Sequence, residues 1–277
     1  MTERTSFLRL ASQWLIGFLL AGVLTALFVL IAAVQLSSEE TGTRAHRRSV
    51  ATLTEIDRLI PGIEADLDLT DATSDETVQV PRFPFPVLLT ADEARTLRGA
   101  ALRERMLDSA AALLYEDGME MWAAADPDAV QRIDRVSTTG ALETGMGLVS
   151  DSWNTKFVII AVLLGVLSLL LTAGLMLTVH DWNMRFVALG SVIIAAGLPC
   201  LAAAIGIRFA FNTAKTEADS FVTDMLDLGI DSVWVAIRDY LTISALGFVV
   251  AGLGALGAWL QGRAARSERI TATPSPK

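Results

Sequence analysis

The sequence predicts an all-α membrane protein, with four transmembrane helices and a mostly helical extracytoplasmic domain inserted between helices 1 and 2. Two observations predict it. Residues 14–36, 157–179, 186–207 and 241–260 are apolar runs of 23, 23, 22 and 20 residues without Asp, Glu, Lys, Arg or His. About 20 such residues carry a helix across a hydrocarbon core, and a helix can cross alone because its backbone hydrogen bonds close within itself. The 120 residues 37–156 are, by contrast, mostly polar, with 12 basic and 22 acidic side chains. That length is within the usual range of an independently folding domain.

Charge sets the expected orientation. The net charge is −9, but the N-terminal tail (1–13), the turn 180–185 and the C-terminal tail (261–277) carry 7 basic and 3 acidic residues. The loops 37–156 and 208–240 together carry 15 basic and 28 acidic residues. Lys and Arg in short segments mark the cytoplasmic side. Both termini and the turn are therefore expected in the cytoplasm, and both large loops outside. The first run is longer than the apolar core of a cleavable signal peptide, and Ala32-Ala33-Val34 is a poor cleavage site, so it reads as an uncleaved anchor. Much Ala, Arg and Asp with little Lys suggests a GC-rich bacterial genome, and the expected location is a bacterial inner or plasma membrane.

Past the first span, Val50, Leu53, Ile56 and Ile60 recur at helical spacing, so the span is expected to continue outward as a helix until Pro61-Gly62. An acidic, Thr-rich stretch (64–76) follows. The prolines Pro81, Pro84 and Pro86 make 78–86 an extended, polyproline-like arm. Thr90-Ala91-Asp92-Glu93 reads as a capping box that opens a helix running to about residue 125. Leu97, Ala101, Met106, Leu113 and Leu114 are its expected buried side. Asp126-Pro127 signals another helix over 127–136, and 137–140 a break before a last helix feeds the second span.

The loop 208–240 is amphipathic: Glu217, Asp224, Asp227 and Asp231 share one helical face, and Val222, Met225, Leu226, Ile230 and Val233 the other. Gly229 is a candidate interruption. Arg208 ends the third span, where it can snorkel to the interface. In the fourth span, Gly247, Ala251 and Ala255, with Gly254 and Ala258, allow close helix approach, either within the bundle or in a homo-oligomer.

Little in the chain points to chemistry. The two histidines, His46 and His180, are expected on opposite sides of the membrane, and the one cysteine, Cys200, lies in the third span. Zinc sites and Ser–His or Cys–His nucleophile pairs need more such groups in one place. His46 stands in Arg44-Ala-His-Arg-Arg and reads as part of a solvated basic patch, with Arg44, Arg47 and Arg48 as candidate lipid-headgroup contacts. Asp66-x-Asp68-x-Thr70 begins like a calcium loop, but Asp71 stands where glycine belongs and Thr77 where the bidentate Glu belongs. No catalytic, metal-binding or cofactor-binding residue is nominated, no cofactor is expected, and no nucleic-acid partner either. Arg82, Phe83 and Phe85 on the arm, with Glu217, Asp224, Asp227 and Asp231, are the candidate partner-binding residues. The alternative for Phe83 and Phe85 is packing onto their own domain.

The order of spans and loops resembles the claudin layout, without that family's paired loop cysteines or its Trp–Leu–Trp signature. The functional expectation is a non-enzymatic membrane protein whose outer domain binds another membrane or envelope protein, as an accessory subunit or assembly factor. The alternatives are a sensor that signals through a separate output protein, a channel or transporter component, and an enzyme working with carboxylates alone.

Overall fold

Nearly every element of this chain is a helix. The structure is a computed structural model and describes residues 2–69, 77–118, 147–215 and 220–271. In chain order the elements are α1 (Thr2–Leu36), α2 (Glu39–Leu53), α3 (Ile56–Asp68), β1 (Thr77–Gln79), β2 (Leu88–Thr90), α4 (Ala91–Thr96) and α5 (Gly99–Asp117). Then come α6 (Asp151–Thr178), α7 (Trp182–Ala214) and α8 (Ser220–Thr271). Four helical stretches are long and apolar enough to cross a membrane: Ala11–Leu36, Asp151–Thr178, Trp182–Ala214 and Gly229–Ala264, with mean hydropathies of 2.8, 2.8, 2.2 and 1.9. The chain is thus a four-span membrane protein by the length and composition of its helices. The expected helix at 127–136 and the break at 137–140 fall outside the described residues, while α6, which opens at Asp151, leads into the second span.

The chain divides into two compact units: Met1–Ala32, Ile159–Ala218 and Gly229–Lys277 in one, Ala33–Val158 and Asp219–Leu228 in the other. In the first, the membrane unit, Phe28, Ala196, Cys200, Ala204, Ile237 and Tyr240 form a buried cluster. The Tyr240 hydroxyl donates to Phe28 O at 3.3 Å. Helices α7 and α8 approach through glycine. A Cβ on Gly190 would lie 2.6 Å from Gly247 O and 2.8 Å from Ala251 Cα, and one on Gly254 would lie 2.7 Å from Asn183 O. Of the small residues expected to serve packing or self-association, Gly247, Ala251 and Gly254 therefore face the third membrane helix of the same chain, while Ala255 is exposed. Ring–cation pairs sit near the ends of the membrane-spanning stretches: Arg185 over Trp182 at 5.3 Å, Arg208 over Trp234 at 4.6 Å and Arg263 over Trp259 at 4.1 Å. Such aromatic and basic groups suit the headgroup layer, where an apolar ring and a charge are both accommodated.

The second, helical unit corrects several expectations. The first span does not run on as one helix to Pro61. It ends at Leu36, where the Ser37 and Ser38 hydroxyls turn back onto Ala33 O and Gln35 O, both at 2.8 Å. These side chains offer the last carbonyls an alternative to further helix. A second break follows at Thr54-Glu55, with Glu55 at φ 45°. Pro61 then lies inside α3. It forfeits one backbone hydrogen bond, but Ile56, Ile60, Ile63 and Leu67 form a single buried face that outweighs the loss.

The arm does more than extend. β1 and β2 pair antiparallel in the register Thr77–Thr90, Val78–Leu89 and Gln79–Leu88, and Val80 N donates to Val87 O at 3.0 Å. All three prolines lie in the connection, where no ladder hydrogen bond is required of them. The capping box at Thr90 is present in full, with Glu93 N donating to Thr90 Oγ1 at 3.2 Å and Thr90 N to Glu93 Oε2 at 2.9 Å. Those bonds and Arg105 hold the Glu93 carboxyl below the usual carboxylate range. Its contribution is complete above the unfolded value of 4.5 and is lost as the pH falls through the lower folded value. Thr90→Ala is expected to cost about 0.5–2 kcal/mol, read as a lower midpoint in thermal unfolding of the detergent-solubilised chain.

The helix opened at Thr90 does not reach residue 125. It stops at Thr96, restarts at Gly99 (φ 54°) and ends before Gly118 (φ 67°). Glycine takes that left-handed backbone without Cβ strain. The restart turns the buried face: Leu102, Met106, Leu107, Ala110 and Leu114 are buried, while Ala101 is exposed. Nor does Gly229 interrupt the second loop. α8 passes through it, and the Phe211 ring fills the space a side chain would need, 2.8 Å from a built Cβ.

Candidate functional site

The predicted contact residues divide by burial. Phe83 and Phe85 are buried, with ring centroids 5.7 Å apart, among Val50, Ile56, Val87 and Met106. Arg82, on the surface at φ 61°, is bidentate to Asp66, at 2.7 Å from Nε and 3.1 Å from the terminal nitrogen. Arg98 takes Asp68 at 2.6 Å. The two carboxylates that began the calcium-like pattern are thus engaged by guanidinium groups, and among the described residues no three His, Cys, Asp or Glu side chains converge. Arg44 pairs with Glu40 at 2.8 Å. Arg47 bridges to α5, reaching Glu104 at 3.0 Å and Asp108 at 2.8 Å; Arg48 lies on α2 beside it. Asp227 and Asp231 are exposed on α8, Asp224 is on the same helix, and Glu217 falls outside the described residues.

The position that departs most from expectation is His46. It is not solvated: 2% of its surface is exposed. It lies on α2, four residues after Gly42 and three before Ser49, so all three share a face. Gly42 is obligatory there, since a Cβ would lie 2.8 Å from the Tyr115 ring and 3.0 Å from Val149 Cγ1. His46 Nε2 lies 2.7 Å from Val149 O. A carbonyl can only accept, so Nε2 carries the proton and the bare nitrogen is Nδ1. Nδ1 is buried and, among the described residues, has no hydrogen-bond partner. Burial pushes the imidazole below its ordinary value of 6.5, more than the Val149 bond raises it.

A separate seam of polar contacts involves Tyr115, whose ring packs on Gly42 of the same face. The buried Tyr115 hydroxyl donates to Ser37 O at 2.9 Å. The Ser37 hydroxyl reaches Asn154 Oδ1 at 3.2 Å, and Asn154 N donates to Ser150 O at 2.9 Å. Burial and the negative charges of Asp151 and Glu39 raise Tyr115 above its ordinary value, so it stays a phenol and a donor. The seam joins the residue after α1, the end of α5 and the start of α6. Sequence reasoning missed it, although Gly42, His46 and Ser49 at helical spacing were its local signal: a small-residue face with one titratable group.

With this geometry in hand, comparison with known proteins adds no relative: no family model, curated protein or solved structure matches the chain.

Proposed function

We propose that this is a non-enzymatic integral membrane protein whose helical unit lies outside the cytoplasm and binds a partner protein, as an accessory subunit or an envelope assembly factor. Both termini are cytoplasmic in this reading, as the basic tails favour. One observation carries it. The interior of the helical unit is filled by its own side chains, contributed by α2, α3, the hairpin, α4 and α5, so the unit acts through its surface. Arg82 and Asp227 are on that surface, whereas Asp231 belongs to the membrane unit.

The experiment is gentle extraction from native membranes, with mass spectrometry of whatever co-purifies in stoichiometric amount. The double variant Arg82→Glu, Asp227→Lys is expected to lower the co-purified partner about ten-fold at equal yield and thermal stability, an affinity loss of about 1.4 kcal/mol. A wild-type chain that comes out alone overturns the reading. So does a partner retained in full by the variant, as far as these residues are concerned.

A further inference from the structure

We propose that His46 is a proton-operated latch, which holds residues 147–150 against α2 while its ring is neutral and lets them lift when the ring takes up a proton.

The geometry supports this in three ways. The neutral ring satisfies one nitrogen on Val149 O, while Nδ1 has no hydrogen-bond partner among the described residues. A proton added at Nδ1 would thus be a buried N–H without an acceptor, on a ring now carrying a charge, and both cost free energy until water reaches them. The charged groups on the surrounding elements offer no relief. On α2, Arg44 is engaged by Glu40, and Arg47 by Glu104 and Asp108 of α5. Arg48 and Glu39 share α2, Tyr115 faces the site from α5, and Asp151 begins α6. Among the described residues none of these bonds to the ring.

The third support is which neighbour can move. α5 is fixed to α2 by the Arg47 bridges and by the apolar core. Residues 147–150 hold to α2 through the His46–Val149 bond and the Val149 side chain against Gly42, and among the described residues the Ser150 hydroxyl bonds to Gly147 O and Ser152. Hydrating the imidazolium therefore displaces 147–150. Because Ser150 O accepts from Asn154 N, the movement loosens the first turn of α6, which Asn154 Oδ1 otherwise holds to Ser37. The closed form is favoured above pH 6.5, the solvated value. Its advantage declines as the pH falls below that, because the open form binds the proton more tightly.

The test is hydrogen exchange on the full chain in nanodiscs at pH 8 and pH 5, corrected for the intrinsic pH dependence of amide exchange. Protection of 147–158 is expected to fall about ten-fold or more at pH 5 in the wild type. In His46→Gln, which keeps a donor for Val149 O but cannot titrate, it should not change with pH. Unchanged protection in the wild type, or an equal loss in His46→Gln, overturns the proposal. A second measurement needs no change at position 46. In His180→Gln, His46 is the chain's one remaining histidine, and its NMR titration is expected below 6.5, with the resonances of 147–154 shifting in step. A midpoint at or above 6.5 overturns the latch even if the glutamine variant fails to fold.

Discussion

Phe85→Ala is expected to destabilise the helical unit by about 3–5 kcal/mol, the usual range for a buried phenylalanine truncated to alanine. Phe85 is fully buried, and it is the largest of the side chains with almost no exposed surface. Its neighbours come from α2, α3, the hairpin and α5, so the hole would open where every layer of the unit meets. Pro84 and Pro86 flank it and fix the backbone on both sides, so the arm cannot sag inward to refill the space. The measurement is urea unfolding of the full chain in detergent, followed by hydrogen exchange of the 77–118 amides. Leu88→Ala is the comparison. Leu88 lies in the same hairpin but is 53% exposed, and its loss should stay within about 0.5 kcal/mol.

The second large effect belongs to the membrane unit. Gly190→Leu should drive α7 and α8 apart, at a cost near the upper end of the roughly 1–3 kcal/mol typical of overpacking. The atoms in the way are backbone, Gly247 O and Ala251 Cα, which no rotamer change can move. Gly252→Leu, on α8 where nothing lies within 4 Å of a built Cβ, is expected to leave the bundle intact. Cysteines on the facing sides of α7 and α8 in a Cys200→Ser chain would report the separation as lost disulfide formation. A Gly190→Leu chain that cross-links as well as its parent would show that the two helices do not meet there.

Legibility in the sequence followed the range of the interaction. The four spans were readable because crossing a bilayer imposes a length and an apolarity on one continuous stretch. The Thr90–Glu93 box was readable because both of its bonds close within three residues. Pro61 was misread because local chemistry says stop, while the face that keeps α3 helical earns its stability against distant residues such as Phe85 and Leu102. Gly229 was misread for the same kind of reason, since the ring that packs on it is Phe211. The polar seam was least readable: Tyr115 meets Ser37 across 78 positions, and Ser37 meets Asn154 across 117. Position 46 sits among arginines in sequence and among apolar and hydroxyl groups in space, because a helix sends neighbouring side chains to different faces.

One more consequence comes from the cations that lace the helical unit. Lysine does not occur before Lys156, so the partners of Glu40, Asp57, Asp66, Asp68, Glu93, Glu104 and Asp108 are all guanidinium groups. Arginine keeps its charge to beyond about pH 12. Enzymes and reagents that acylate amines therefore find no side chain to neutralise anywhere from residue 37 to 155. The cationic half of this surface therefore keeps its charge against metabolic acylation and against alkali alike.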